Sequence, residues 1–475
     1  MTLKIHNTAT RKKESFSSIN PRKVRMYVCG ITTYDECHLG HARAAIVFDV
    51  IYRYLKHLDY DVTYIRNFTD IDDKIIKKSQ DTGTPWQEIT ERYIQSYKTQ
   101  MARLKVLNPT AEPKATEHLE EMKSLISTLV DKGYAYAAGG DVYFEVRKFK
   151  GYGSLAHKKI DELESGARIE VGEKKKDPLD FTLWKGAKPN EPKWASPWGE
   201  GRPGWHIECS AMSQKYLGPT FDIHGGGRDL MFPHHENEIA QSEAASGKKP
   251  FAKYWIHNGF VNINAEKMSK SLGNIRSMPA ILEKWDAEVV RYFLISAHYA
   301  SPLDFTEQAM TNAEEAVSRF YETLLRLKSA PDGDGEISFD FKKSLRGPMD
   351  DDFNTSAAIG KLFELIRQIN KVLDRGKGIK PSHKQAVLNG LTTANEVLGI
   401  FNEEPAEFLK RQQQKRLEVS TIGEDEIRKL LDERKNARIA RNFQRSDEIR
   451  DELTSKGVAL KDNPDGTTSW EIRKS

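Results

Sequence analysis

The sequence predicts an α/β protein: a Rossmann-type parallel-sheet domain carrying an insertion, then a helical bundle and a small mixed C-terminal domain. Three observations predict it. A strand, a helix and a second strand follow one another within residues 24–65, the βαβ unit of a parallel sheet. Strand patterns return at residues 220–224 and 254–263, after a long stretch of little period. Beyond residue 340 the patterns are helical until a terminal hairpin. At 475 residues the chain has room for about three or four domains.

The elements follow in order. Val24 to Cys29 is a strand, with Gly30 as its turn. A helical period starts near His41 and puts Ala44, Val47, Ile51, Leu55 and Leu58 on one face. Val62 to Ile65 is the second strand. Thr84-Pro85-Trp86-Gln87 reads as a capping box opening a helix toward Leu104. Another helix spans about Ala115 to Asp131, and a hairpin turns at Gly139-Gly140-Asp141. Gly151 to Gly204, rich in Gly, Pro, Trp and Lys, reads as an insertion rather than an independent core. A strand from Thr220 to His224 leads into Gly225-Gly226-Gly227. Pro233 starts a helix through Ala245, and Tyr254 to Ile263 is one further strand. Ser329 to Asp340 is a linker-like stretch. Helices are expected near Phe353 to Arg375, Pro381 to Leu398, Glu424 to Arg441 and Ser446 to Lys456, with Gly457 as a C-cap. A hairpin from Val458 to Ile472 turns across Asn463-Pro464-Asp465-Gly466.

Composition narrows the function classes. Apolar residues at 38% suffice for a sizeable core, so wholesale disorder is excluded. A net charge of +4 excludes neither nucleic acid nor an acidic small substrate. No apolar run reaches the ~18 residues of a membrane span, and the first residues lack the apolar stretch of a secretory signal. A cytoplasmic enzyme is expected. The three cysteines, Cys29, Cys37 and Cys209, do not make a disulfide scaffold and fit a reducing compartment.

Three constellations carry chemistry. His38-Leu39-Gly40-His41 lies between a strand and a helix N-terminus. Two imidazoles three apart face one way, the helix start supplies unpaired N–H groups, and Gly40 lets a planar ligand or phosphate approach. Such a site suits a polyphosphate whose charge grows in a transition state. Two ordinary surface histidines are the alternative. Lys267-Met268-Ser269-Lys270-Ser271 places two ammonium groups three apart among small neighbours. That suits a loop closing over phosphates and following a leaving pyrophosphate; a solvated basic loop is the alternative. The first motif follows the first strand of the sheet domain and the second follows its last strand, the order a split nucleotide site requires. Cys29, Cys209, His234 and Glu238 are candidate metal ligands. His234 and Glu238 are four apart and share a helix face, and thiolate, imidazole and carboxylate are ligands that zinc accepts. With 180 positions between the cysteines the spacing is not that of a local zinc finger, and buried reduced cysteines remain the alternative.

The histidine and lysine motifs resemble the HIGH and KMSKS signatures of class I aminoacyl-tRNA synthetases, with Leu39 in place of isoleucine. Longer segments resemble the cysteinyl-tRNA synthetase family. They are Tyr27 to Asp35, Cys37 to Arg43, Asn67 to Ile75, Asp177 to Lys185, Gly204 to Met212 and Phe221 to Gln241. The likeness covers nearly the whole chain, strongest from Tyr27 to Asn274. It implies one zinc on Cys29, Cys209, His234 and Glu238, and an amino-acid pocket with Gly30, Thr69, Trp205 and His224. For Trp205 a core position is the alternative. It implies ATP contacts from His38, Gly40, His41, Lys267, Ser269 and Lys270, with His38, His41, Lys267 and Lys270 catalytic. Magnesium would accompany ATP. The partners implied are L-cysteine, ATP and tRNA(Cys), with no membrane; a monomer is expected.

The segments implied are 1–106 and 204–255 for the two halves of the catalytic domain, with 107–203 as connective insertion. Residues 256–328 are the lysine-motif and stem-contact region, 329–400 a helical bundle and 401–475 an anticodon-binding domain. The charge of this last segment does not announce RNA: it carries sixteen basic and sixteen acidic residues. Arg434, Lys435, Arg438, Arg441 and Arg445 form either a basic face or a helix laced with ion pairs. Two rival readings stay open: a cysteine-activating ligase with a small amine acceptor, and a non-catalytic synthetase-like RNA-binding protein.

Overall fold

The structure is a computed structural model. It describes the chain except residues 1, 160–173, 264–265, 268–275, 419, 421, 463–466 and 473–475, and of residues 266–267 the backbone alone. Ser269 and Lys270 therefore lie outside the described residues, as does the side chain of Lys267.

A short hairpin of β1 (Lys4–Asn7) and β2 (Lys12–Ser15) precedes β3 (Lys23–Thr32), α1 (Leu39–His57) and β4 (Asp61–Thr69). Next come α2 (Asp73–Thr82) and α3 (Trp86–Arg103), then α4 (Leu119–Asp131). The insertion contributes β5 (Ala135–Ala138), β6 (Asp141–Phe144), β7 (Phe181–Gly186) and β8 (Gly201–Pro203). After it follow α5 (Trp205–Leu217), β9 (Phe221–Gly227), α6 (Glu236–Ser246) and β10 (Ala252–Asn258).

The central sheet has the order β10-β9-β3-β4, and every pair in it is parallel. β3 sits inside the sheet. Its crossover through α1 leads to β4 on one side, and β9 pairs with it on the other. That is the topological switch point, beyond whose strand ends ligands bind in open α/β sheets. α1 is buried over more of its surface than one stripe: Ala42, Ile46, Phe48, Ile51, Tyr54 and Leu55 are all inaccessible. Ala44, expected on the apolar face, instead stays partly open. Gly225 on β9 is needed for this packing, because a Cβ there would lie 2.2 Å from the Phe48 ring.

β5 to β8 form an antiparallel sheet of their own, yet Val142, Phe144 and Trp184 join one apolar core with Tyr27 and Ile65 of the main sheet. The insertion thus shares a core rather than building one. The capping box expected at Thr84 is not made: α3 starts at Trp86 with Pro85 as its cap and no side-chain cap bond. The strand expected over residues 254–263 divides. Gly259 N–H turns to the carbonyl of Tyr299, and β11 (Val261–Ile263) enters a second sheet with β12 (Glu266–Lys267) and β13 (Leu303–Phe305).

Helices follow: α7 (Met278–Lys284), α8 (Ala287–Ile295), α9 (Glu307–Ser329), α10 (Phe341–Asp350), α11 (Thr355–Leu373), α12 (Pro381–Leu398), α13 (Pro405–Glu418), α14 (Glu424–Ile439) and α15 (Phe443–Ser455). Gly457, at φ 81°, takes the left-handed conformation expected just past α15. β14 (Val458–Asp462) and β15 (Thr468–Ile472) make the terminal antiparallel hairpin; the turn assigned to residues 463–466 lies outside the described residues. The chain packs as two units. One comprises Met1–Glu314, Ile337–Gln368 and Gln385–Ile400, the other Glu315–Glu336, Ile369–Lys384 and Phe401–Ser475. In the second, Ile427, Leu430, Ile449, Leu453 and Val458 form a small core, and Arg434 is buried on a bidentate pair with Asp462 at 2.8 and 2.9 Å. Arg438 also pairs with Asp462 and Arg445 with Glu433, so these three arginines belong to ion pairs. Among the described residues no helix is long and apolar enough to cross a membrane.

Candidate metal centre and nucleotide cleft

β3 carries Cys29 to the switch point, and a bulge aims it there. Val28 pairs with Arg66 and Ile31 with Phe68, so Cys29 and Gly30 together oppose Asn67. Gly30 N–H donates to Asn67 Oδ1 at 2.9 Å, and a Cβ on Gly30 would sit 1.6 Å from the Asn67 carbonyl oxygen. Only glycine fits.

Four side chains converge beside that bulge. Cys29 Sγ lies 3.7 Å from Cys209 Sγ, 3.5 Å from His234 Nε2 and 3.4 Å from Glu238 Oε1. His234 Nε2 and Glu238 Oε1 are 3.1 Å apart. Cys209 comes from α5, Glu238 from α6, and His234 from a π-type turn, Met231–His235, just before α6. Zinc would require a particular set of separations among these atoms. Zn–S bonds of about 2.3 Å and Zn–N or Zn–O bonds of about 2.0–2.1 Å give a tetrahedron with an S–S edge of about 3.8 Å. Its edges to sulfur from nitrogen or oxygen are about 3.5 Å, and its N–O edge about 3.4 Å. The three separations from Cys29 Sγ follow that pattern, and His234 to Glu238, at 3.1 Å, is shorter.

The electrostatics point the same way. Burial pushes the Cys29 thiol well up, and Cys209 and Glu238 add to it. For Cys209 the hydrogen bond from Cys29 pulls downward, but burial and the carboxylates of Glu238 and Glu208 outweigh it. Burial drives His234 well below its ordinary value, with His206 and His224 contributing, so this imidazole is neutral and able to coordinate. The two thiols, buried together, resist ionisation; a divalent cation would reverse that preference. Cys29, His224, His235 and Glu238 also come close enough to hold an ion, but that alternative set lacks the second thiol.

Cys29 is the partly open member of the four, and it lines a cavity of about 320 Å³. Gly30, His38, Gly40, His41, Trp205 and Asn258 line the same cavity. His38 caps α1: its Nδ1 accepts from Gly40 N–H at 3.2 Å, and its own N–H donates to His41 Nδ1 at 3.3 Å. The two rings stack at 3.6 Å. Described residues on either side of 268–275 have partners of their own. The Lys267 backbone pairs with Asn262, and Ser277 forms a bridge with His38.

Trp205 is 39% exposed, so it is no core aromatic; its ring stacks on His234 at 4.3 Å. His224 and Thr69 do not line the cavity. His224 is fully buried, stacked on Trp255, and holds Glu238 Oε2 at 2.9 Å. Thr69 Oγ1 donates to Glu208 Oε2 at 3.1 Å. His224 lies one layer behind the ligand set, and Thr69 rests on Glu208, the neighbour of Cys209 in sequence. Cys37 is buried and burial pushes its thiol up to about 12, as suits packing rather than ligation.

Two contributors carry no local signal. Arg43 is fully buried and donates to the carbonyl oxygens of Phe260 and Ser301, fixing α1 against the segment leading to the lysine motif. His206 contacts His234, Nδ1 to Nδ1, at 2.9 Å.

Comparison with known proteins agrees with this geometry. Residues 15–315 match the family described as tRNA synthetases class I (C) catalytic domain, and residues 346–402 match the DALR domain. The cysteine–tRNA ligase of Geobacter metallireducens is 54% identical over 100% of both chains, and that of Geobacter sulfurreducens 52% identical over 100% of both. Among solved structures, Mycobacterium tuberculosis methionyl-tRNA synthetase in complex with methionyl-adenylate aligns at a TM-score of 0.56. It shares 16% identity over 74% of this chain and 83% of that one, a likeness of fold. Full-length identity at this level, together with the match to the catalytic-domain family, shows that the chain belongs to the cysteine–tRNA ligase family of the class I tRNA synthetases.

Proposed function

We propose that the chain activates L-cysteine with ATP and transfers it to tRNA(Cys), with one zinc on Cys29, Cys209, His234 and Glu238 selecting the substrate. The observation that carries this reading is the four-ligand cluster whose open member, Cys29, shares a cavity with His38 and His41. Zinc held there would supply a borderline-soft Lewis acid that binds a thiolate far better than a neutral hydroxyl. Packing alone separates neighbours of similar size by only ~1–3 kcal/mol, so a sulfur-selective ligand removes the need for editing against serine.

The chain's own groups do the rest. In the first step the cysteine carboxylate attacks the α-phosphate of ATP, giving cysteinyl-adenylate and pyrophosphate. His38 and His41, at the N-terminus of α1, stabilise the growing phosphate charge, and Gly40 lets the nucleotide approach the backbone. Lys267, Ser269 and Lys270 hold the leaving pyrophosphate, and magnesium accompanies ATP. Gly30 and Trp205 border the amino-acid position, while Thr69 and His224 support it from behind. In the second step a terminal ribose hydroxyl of tRNA attacks the cysteinyl carbonyl, the anhydride bond to phosphate breaks, and AMP leaves as the ester forms.

The domain reading is 1–106 and 204–255 for the catalytic halves, 107–203 for the insertion, 256–328 for the lysine-motif region, 329–400 for the bundle and 401–475 for anticodon contact. A cytoplasmic monomer completes it. The test is zinc quantification on the purified chain together with cysteine-versus-serine activation. Equal discrimination after complete demetallation would overturn the zinc assignment, and transfer to a small amine in place of tRNA would overturn the acceptor.

A further inference from the structure

A metal-binding imidazole must direct a lone pair at the cation. In His234 the nitrogen among the ligand atoms is Nε2, 3.5 Å from Cys29 Sγ and 3.1 Å from Glu238 Oε1. A neutral imidazole carries one proton, so that proton must sit on Nδ1. His234 is 1% exposed, and a buried N–H requires an acceptor inside the protein. The group facing it is His206 Nδ1, at 2.9 Å. Two facing ring nitrogens can share only one proton, so His206 accepts and carries its own proton on Nε2.

We infer that His206 is a positioning residue of the metal centre, whose Nδ1 holds His234 in the tautomer and ring orientation that coordinate. The inference rests on the metal reading proposed above. His206 is built for this task. Gln241 Nε2 donates to its backbone carbonyl, which ties α5 to the helix that carries Glu238. The Phe181 ring meets it edge-on at 5.5 Å and 84°. Trp205 stacks on the ligand ring at 4.3 Å and lies 5.2 Å from the His206 ring, so the three rings pack together and restrict the turning of His234. His206 also lines a separate cavity of about 590 Å³, where its own N–H can meet solvent. Glu238 has an equivalent support, since its second oxygen is held by His224. Each of these two ligands therefore rests on a further histidine, and such outer partners set metal affinity as well as orientation.

The test is zinc affinity, measured by chelator competition on the full chain for wild type, His206→Ala and His206→Asn. Removal of the acceptor is expected to raise the zinc dissociation constant on the order of 10–100-fold. Asn sets an amide oxygen near the Nδ1 position and is expected to recover most of the loss. A wild-type affinity in His206→Ala, beside tight zinc in the wild type, overturns the inference alone. A wild-type chain that takes up no zinc overturns the metal reading and this inference with it. Nitrogen-15 histidine spectra of the zinc-loaded wild type provide a readout independent of any variant's folding. A proton on His234 Nδ1 supports the inference, and one on Nε2 overturns it.

Discussion

The Sγ atoms of Cys29 and Cys209, 180 positions apart in the chain, lie 3.7 Å from each other with no disulfide between them. That distance is close to the S–S edge of about 3.8 Å that a shared zinc would require. Cys209→Ser is expected to lose zinc and to raise the KM for cysteine far more than that for ATP. Metal analysis and ATP–pyrophosphate exchange check it; a variant that keeps stoichiometric zinc would remove Cys209 from the ligand set.

Gly30→Ala drives a methyl group into the Asn67 carbonyl, which lies 1.6 Å from the Cβ position. The bulge must shift, and Cys29 shifts with it. A displacement of about 1 Å at a reacting centre costs on the order of 10²-fold in rate. Overpacking adds a stability loss of about 1–3 kcal/mol. Exchange kinetics and thermal melts measure both, and an unaffected exchange rate would show that the bulge does not set the site.

Lys270→Ala is expected to slow adenylate formation about 10²–10³-fold, the usual effect of losing one group that stabilises transition-state charge. Melting temperature should not change. An exchange rate equal to wild type would refute the role given to the lysine motif.

Arg434 and Asp462 give the second unit an acid sensitivity. The hydrogen bond from Arg434, aided by Thr468 and Arg438, holds the Asp462 carboxyl well below the usual carboxylate range. A depressed carboxylate contributes stability that is present above its unfolded value, about pH 3.9, and lost as pH falls toward the folded one. Because Asp462 is about one-third exposed, the contribution is discounted to about 1–2 kcal/mol. Asp462→Asn should show that deficit at pH 7 in denaturant titrations followed by Trp470 fluorescence, and the gap to wild type should narrow below about pH 3. A gap that stays constant with pH would assign the loss to packing.

Legibility varied with the range of the interaction involved. The first βαβ unit, the hairpin at Gly139 and the C-cap at Gly457 follow from neighbours in sequence, and each was readable. The strand expected from Tyr254 to Ile263 divides because Gly259 turns to Tyr299, forty residues on. Several helices have no counterpart among those expected, α2, α5, α9, α10 and α13 among them; α13 is long and polar, with Phe408 and Gln412 among its few buried residues. In the site, residue types and the order of the two signature motifs were readable. The position of His224 behind the ligands, the contact of Thr69 with Glu208, and the parts of Arg43 and His206 were not.

The sequence by itself determined the chemistry available: two thiols, an imidazole and a carboxylate of zinc-binding type, a histidine pair at a helix start, and a lysine pair after the last strand. Only the tertiary structure decided which groups meet. Strand order puts β9 beside β3, a one-residue bulge turns Cys29 toward α5 and α6, and a π-type turn points His234 and His235 to different neighbours. The physical reason is that periodicity records which side of an element is buried, whereas contact between distant segments depends on strand order and backbone irregularities that a local pattern does not encode.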